Sequence, residues 1–303
     1  MAWPQARSRT ELLAFLALLS MTAAWGSTFF MIKDIVTRIG VADLLTVRFA
    51  IATLGLALIA GRRLAMSRRT VGRGAVLGLL YGVAQILQTT GLAHTAASVS
   101  GFITGLYVVA TPLLGAIILR SRIAPTTWVA TGLATLGLGV LSLNGFAVGY
   151  GELLTLCSAV IYAGHIIALG RLSEPGTALS LSAVQMAVIT VVCGVAALWP
   201  AGGSGIGIQL PGSAKDWLIV IYLALIAGAL TMVLQTWAQA RVEASRAAVI
   251  MAMEPVWAAA FAVALGGESV TLRMVVGGLA ILAAMYLVEL APGLQPQPEE
   301  EAS

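Results

Sequence analysis

Apolar residues run along this chain in ten stretches of helix-spanning length, and polar residues gather in the short gaps between them. The predicted spans are 12–32, 44–61, 73–93, 98–119, 126–143, 152–170, 180–199, 217–237, 246–266 and 272–290. A helix rising about 1.5 Å per residue needs about 20 apolar residues to cross a hydrocarbon core of about 30 Å. In lipid every backbone N–H and C=O must be bonded internally, so the chain is a helix bundle or a closed barrel. Barrel strands would alternate apolar and polar at every second residue. Val256 to Leu265 is apolar throughout, which excludes that pattern.

The gaps carry turn residues: Gly61-Arg62-Arg63, Asn144-Gly145, Glu174-Pro175-Gly176 and Pro200 to Pro211. They also carry the charge. Taking the first gap as outer, the inner segments hold Arg7, Arg9, Arg62, Arg63, Arg68, Arg69, Arg73, Arg120, Arg122, Arg171, Arg241 and Arg246. The outer segments hold only Lys33, Arg38, Lys215 and Arg273. Loops rich in Lys and Arg stay cytoplasmic, so residues 1–11 and the acidic tail 291–303 are expected inside. Arg7 and Arg9 before an apolar run also resemble a signal peptide, but that run continues through Ile32, too long for one.

The second half echoes the first. Trp25-Gly26…Lys33 matches Tyr162-Ala163…Arg171, and Leu87-Gln88-Thr89…Ala93 matches Leu234-Gln235-Thr236…Ala240. Thr111-Pro112 matches Glu254-Pro255, and Gly132-Leu133-Ala134 matches Gly278-Leu279-Ala280. The spacing is about 145 residues, placing repeats at 12–143 and 152–290. Five spans per repeat is odd, so the second copy enters the membrane from the opposite side, the inverted symmetry of many secondary transporters. The expected fold is all-α integral membrane, ten helices in two inverted five-helix repeats around a central cavity.

Polar residues inside spans should face protein or a watery chamber, because exposure to acyl chains is costly. Helical spacing puts Tyr81, Gln85 and Gln88 on one stripe, and Thr104, Tyr107 and Thr111 on another. Ser158, Tyr162 and His165 form a third stripe, Thr231, Gln235 and Gln239 a fourth, and Glu254, Trp257 and Phe261 a fifth. With Trp25, these residues outline a substrate cavity or, read more simply, interhelical hydrogen bonds and packing. Trp25, Tyr81, Tyr107, Tyr162 and Trp257 suit an apolar or aromatic ligand. Lys33, Arg48 and Gln185, the repeat counterpart of Arg48, form a gate or charge-pair set. Arg48 suits a substrate carboxylate, or a pair with Asp34 or Asp43. Glu254 suits an ammonium or a proton, or a pair with Arg171. His165 either titrates near neutral pH or stays neutral against a neighbour. Gly74, Gly78 and Gly82 form a row that lets helices approach closely. Hinges are expected near Gly26, Pro112 and Pro255.

These features resemble the EamA family of the drug/metabolite transporter superfamily: ten spans, Trp25-Gly26…Lys33, Arg48, and Glu254-Pro255-Val256. The resemblance implies two inverted five-helix repeats about a cavity, and export of amino acids or similar metabolites across a bacterial inner membrane. One departure stands out: Ser98 to Pro112 is longer by about a helical turn than Ser245 to Pro255. A broad multidrug or cation exporter is the alternative within transport, and a membrane-embedded lipid-modifying enzyme the alternative outside it.

Composition narrows the rest. With 59% hydrophobic and 10% charged residues in 303, the chain leaves no room for a soluble catalytic domain. The charge of +4 sits in short loops, so nucleic acid is not an expected partner. Two His exclude multi-His metal sites, and no motif calls for a cofactor. The expected partners are a small-molecule substrate and the lipid bilayer, with proton or exchange coupling both open. Cys157 and Cys193 fall within spans and are expected as buried thiols.

Overall fold

The computed structural model describes residues 9–61, 64, 67–119, 125–142, 149–198, 207–242, 247, 250–251 and 253–290. Within them the chain is helical, in the order α1 (Arg9–Ile35), α2 (Val41–Ala60), α3 (Arg68–His94), α4 (Ala97–Gly105 continuing as Tyr107–Leu119) and α5 (Pro125–Ser142). The second half supplies α6 (Tyr150–Leu172), α7 (Ala178–Leu198), α8 (Ala214–Gln239), α9 (Glu254–Ala264) and α10 (Leu272–Leu290). Seven of these, α1 to α4 and α6 to α8, are long and apolar enough to cross a membrane. The apolar runs of the other three are shorter, Trp128–Val140, Glu254–Ala264 and Leu272–Leu287. The acidic tail lies outside the described residues.

Local chemistry sets several ends. Ser67 caps α3 by accepting the Thr70 N–H, and Ser213 caps α8 by accepting the Asp216 N–H. Gly61 closes α2 at φ 47°, a left-handed value that suits glycine. Outward faces stay apolar: Leu58 is 84% exposed and Leu272 80%. Such faces suit a hydrocarbon surround.

The glycine row of α3 packs along α7 in parallel, with Gly74 against Val184, Gly78 against Val188 and Gly82 against Val192. α3 meets α6 antiparallel, Gly91 against Thr155 and Gln85 against Tyr162. α1 meets α8 antiparallel, Trp25 bonding Thr231 and Ser27 bonding Tyr222. α1 and α9 run parallel, Gly26 against Trp257 and Phe30 against Phe261. α2 and α8 also run parallel, Arg48 at Leu223 and Ala52 beside Gly228. α2 opposes α7 in direction, and α4 opposes α9. α5 and α10 pack together through Gly137 and Ala280. Exchanging the first five helices for the last five turns α3–α6 into α8–α1 and α3–α7 into α8–α2, with directions kept.

Three expectations change. α1 runs unbroken through Gly26, whose missing Cβ admits the Trp257 side chain, so Gly26 is a point of close approach and not a hinge. Pro112 lies inside a helical segment, and the break in α4 comes earlier, at Leu106. Cys157 is exposed on the outer face of α6, and only Cys193 is buried. Near Pro255 the helix is interrupted, at Met253, and Pro255 sits in the first turn of α9, where its missing N–H is tolerated.

Candidate functional site

A cavity lies between α1, α2, α3, α4, α6, α8 and α9, with about 510 Å3 of space not filled by atoms, its mouth included. Each lining helix turns one stripe inward. On α3 the stripe is Tyr81, Gln85 and Gln88, and on α4 it is Thr104 and Tyr107. α6 supplies Tyr162, His165 and Ile166, α8 supplies Gln235, and α9 supplies Glu254. α1 lends Trp25, Thr28, Phe29 and Ile32, and α2 lends Arg48.

One hydrogen-bonded chain ties three helices across the wall. Gln85 Nε2 donates to the Tyr162 hydroxyl at 2.6 Å, and that hydroxyl donates to Gln88 Oε1 at 2.9 Å. Gln88 Nε2 then donates to Thr104 Oγ1 at 3.0 Å. Tyr81 sits edge-on to Tyr162 and to His165, with ring centroids 5.4 and 5.1 Å apart. His165 Nε2 lies 3.0 Å from Gln185 Oε1, so the imidazole is held from the protein side. Gln85 Oε1 and Gln235 Oε1 are buried acceptors with no hydrogen-bond partner among the described residues. An unpaired buried acceptor loses its hydration without compensation, so both suit a ligand's donors.

The two embedded charges face the same space. Arg48 is 3% exposed and Glu254 is 4% exposed. Arg48 Nε donates to Leu223 O at 3.0 Å, and its guanidinium lies over the Phe49 ring. Glu254 Oε2 lies 3.1 Å from the Tyr107 hydroxyl, which also reaches Met251 O at 2.9 Å. Among the described residues neither charge forms an ion pair. Both lie within electrostatic reach of Tyr81 and Tyr162.

Ten of the eleven cavity residues read from the sequence line this space: Trp25, Tyr81, Gln85, Gln88, Thr104, Tyr107, Tyr162, His165, Gln235 and Glu254. Trp257 does not. Its Cβ is wedged against Gly26, which carries the ring toward Phe261. The charge pairs expected for Arg48 do not form: Asp34 is taken by Arg38, and the buried Asp43 carboxylate has no hydrogen-bond partner among the described residues. Glu254 does not pair with Arg171, which ends α6 on an exposed turn. Lys33 forms no ion pair among the described residues. Its Nζ donates to Leu92 O and Ala93 O, capping the last turn of α3 where the helix dipole favours a cation. Gln185 stands behind the wall, bonded to His165.

Thr28, Phe29, Ile32 and Ile166 line the cavity and escaped the polar-stripe search. Their signal was the spacing from Trp25 to Thr28, Phe29 and Ile32, a helical face continuing an already suspected residue. Ion pairs at the two ends escaped it as well. Arg38 bridges Asp34 at 2.8 Å and Asp216 at 2.7 Å, tying the α1–α2 link to the start of α8. Arg73 bonds Glu174 at 2.6 Å, tying the start of α3 to the α6–α7 link. The Arg73 guanidinium holds the Glu174 carboxyl below the usual carboxylate range. Bonds from Asp34 and Asp216 push the Arg38 guanidinium up.

The sequence profile of the EamA-like transporter family matches residues 12–143 and again 149–290. A protein of Archaeoglobus fulgidus named "Uncharacterized transporter" is 28% identical over 282 residues, covering 92% of this chain and 87% of that one. A solved structure, described only as a protein crystal structure, aligns over 97% of this chain and 100% of its own. Its TM-score is 0.65 at 18% identity, a likeness of fold alone.

Proposed function

The chain belongs to the EamA-like transporter family, and from that premise we propose that it moves zwitterionic amino acids, apolar or aromatic ones included, by alternating access. It is a multi-pass membrane transporter and not an enzyme. The observation that carries the substrate reading is the pair Arg48 and Glu254. A guanidinium and a carboxyl group face one cavity, and neither forms an ion pair among the described residues. A zwitterion supplies both missing partners: its carboxylate suits the planar guanidinium, and its ammonium suits Glu254 with the free oxygens of Gln85 and Gln235. Trp25, Phe29, Ile32 and Tyr81 offer an apolar and aromatic surface for the side chain.

Alternating access draws support from the packing. α2 and α7 hold equal places in the two halves and run in opposite directions, as do α4 and α9. The family profile also matches each half separately. These facts favour two inverted repeats, 12–143 and 152–290, whose near-equal packings open one site to either side. The arginine-rich segments favour cytoplasmic termini, and the family resemblance implies a bacterial inner membrane.

Counterflow in proteoliposomes tests the substrate. An amino acid panel is compared with the corresponding decarboxylated amines. One charge-assisted hydrogen bond is worth about 1.5–3 kcal/mol, so Arg48→Gln and Glu254→Gln should each lower flux about tenfold or more. Equal transport of the amines would replace this reading with a cation exporter, and no flux for any amino acid would end it.

A further inference from the structure

The irregular stretch of α8 is held by two side chains that face the cavity. Leu225–Leu230 is π-helical, wound one residue wider than an α-helix. The Thr231 N–H therefore goes to Ile226 O and Gly228 O. Ala227 O, its partner in a regular helix, is left for other donors. Thr231 Oγ1 takes it at 2.8 Å, and Trp25 Nε1 takes it at 3.2 Å. At the entry to the stretch, Leu223 O receives Arg48 Nε at 3.0 Å. Ala227 O, which loses its regular backbone donor, would be costly in lipid unless another donor reached it. The register of α8 thus depends on where Arg48 and Trp25 stand, and both line the cavity. Beyond the stretch lies Thr231–Gln239, which carries Gln235 to the cavity and holds Ile166 O through Gln239.

We infer that Arg48 and Trp25 are positioning residues that couple cavity occupancy to the register of α8. A carboxylate that draws the guanidinium from Leu223 O removes the side-chain brace at the entry to the π stretch. The π stretch then shifts along the helix or tightens, and Thr231–Gln239 turns with it. A ligand without a carboxylate leaves the brace in place. The inference rests on the reading of Arg48 as the carboxylate anchor, and extends it from binding to movement.

Hydrogen exchange of the full-length protein in lipid nanodiscs, followed by mass spectrometry over residues 225–231, tests it. Without ligand, Arg48→Gln and Thr231→Val should each speed exchange there about tenfold, the effect of one lost bond of ordinary net strength. In the wild type, an amino acid that binds should change exchange at the same amides, and its decarboxylated amine should not. Ligand-free variants that exchange like the wild type would overturn the brace. If Arg48→Gln does not fold, Trp25→Phe removes the indole N–H donor while keeping an aromatic side chain there. An amino acid that raises thermal stability yet leaves these amides unchanged would refute the coupling while the substrate reading stands. If no amino acid binds, the coupling falls with that reading, and the ligand-free variants still decide the brace.

Discussion

Replacing Gly26 by alanine separates a packing role from a hinge role at the centre of α1. A Cβ built there lies 2.4 Å from the Trp257 Cβ and 2.8 Å from the Ala258 backbone nitrogen. Carbon atoms touch comfortably at about 3.5 Å, so the two helices must separate by about 1 Å. Neither neighbour is the end of a flexible side chain, so relief cannot come from a rotamer change. Overpacking of this kind costs about 1–3 kcal/mol, and losing a mid-helix glycine returns about 1 kcal/mol of helix propensity. With rigid neighbours the cost falls in the upper part of that range, about 2–3 kcal/mol, so the net expectation is about 1–2 kcal/mol of destabilisation. Gly164, on α6, is the control, because a Cβ there meets nothing within 4 Å. Gly164→Ala should be neutral or stabilising by up to about 1 kcal/mol. At about 2 °C per kcal/mol, the two variants should melt about 2–6 °C apart. The assay is thermal unfolding in detergent, read by a thiol-reactive dye on buried Cys193 with Cys157 replaced by alanine. A Gly26→Ala protein that melts at or above the wild type would refute the packing argument. If that protein also lost transport, the hinge reading would return.

Lys33→Met should lower the melting temperature by a few degrees, because two carbonyls at the end of α3 lose a charged donor worth about 1.5–3 kcal/mol. Differential scanning fluorimetry checks this, and Lys33→Arg should recover part of the loss. For Glu174 the folded carboxyl titrates lower than the free one, so its pairing with Arg73 helps at neutral pH. The help fades as pH falls through the lowered folded value. The melting difference between wild type and Glu174→Gln should therefore vanish well below about pH 4, the ordinary carboxylate range. Cys193 should resist a membrane-permeant maleimide until the protein unfolds, as mass spectrometry of the labelled peptide would show.

Ten helices and their inward faces were legible in the residues because both are local consequences of the solvent. Lipid offers no hydrogen bonds, so each apolar run must close its own ladder. It also penalises exposed polar groups, so the stripe Tyr81, Gln85, Gln88 could turn only toward protein. The glycine row of α3 belongs to the same class. Three absent side chains at one-turn spacing mark a close approach, and α7 fills it.

Partners were not legible. Spacing tells which face of a helix points inward, but not which atom of another helix it meets. Arg48 bonds a carbonyl 175 residues away, at a place where α8 leaves regular geometry. Lys33 bonds two carbonyls about 60 residues away at the end of α3. Phe29 and Ile32 are apolar and look in sequence like lipid-facing neighbours such as Leu12 and Leu13. Helical spacing from Trp25 puts Phe29 and Ile32 on its face, and the packing of α1 against α8 and α9 turns that face inward. Membrane solvent settles secondary structure one segment at a time, whereas side-chain pairing follows from how close and at what angle separate helices pass.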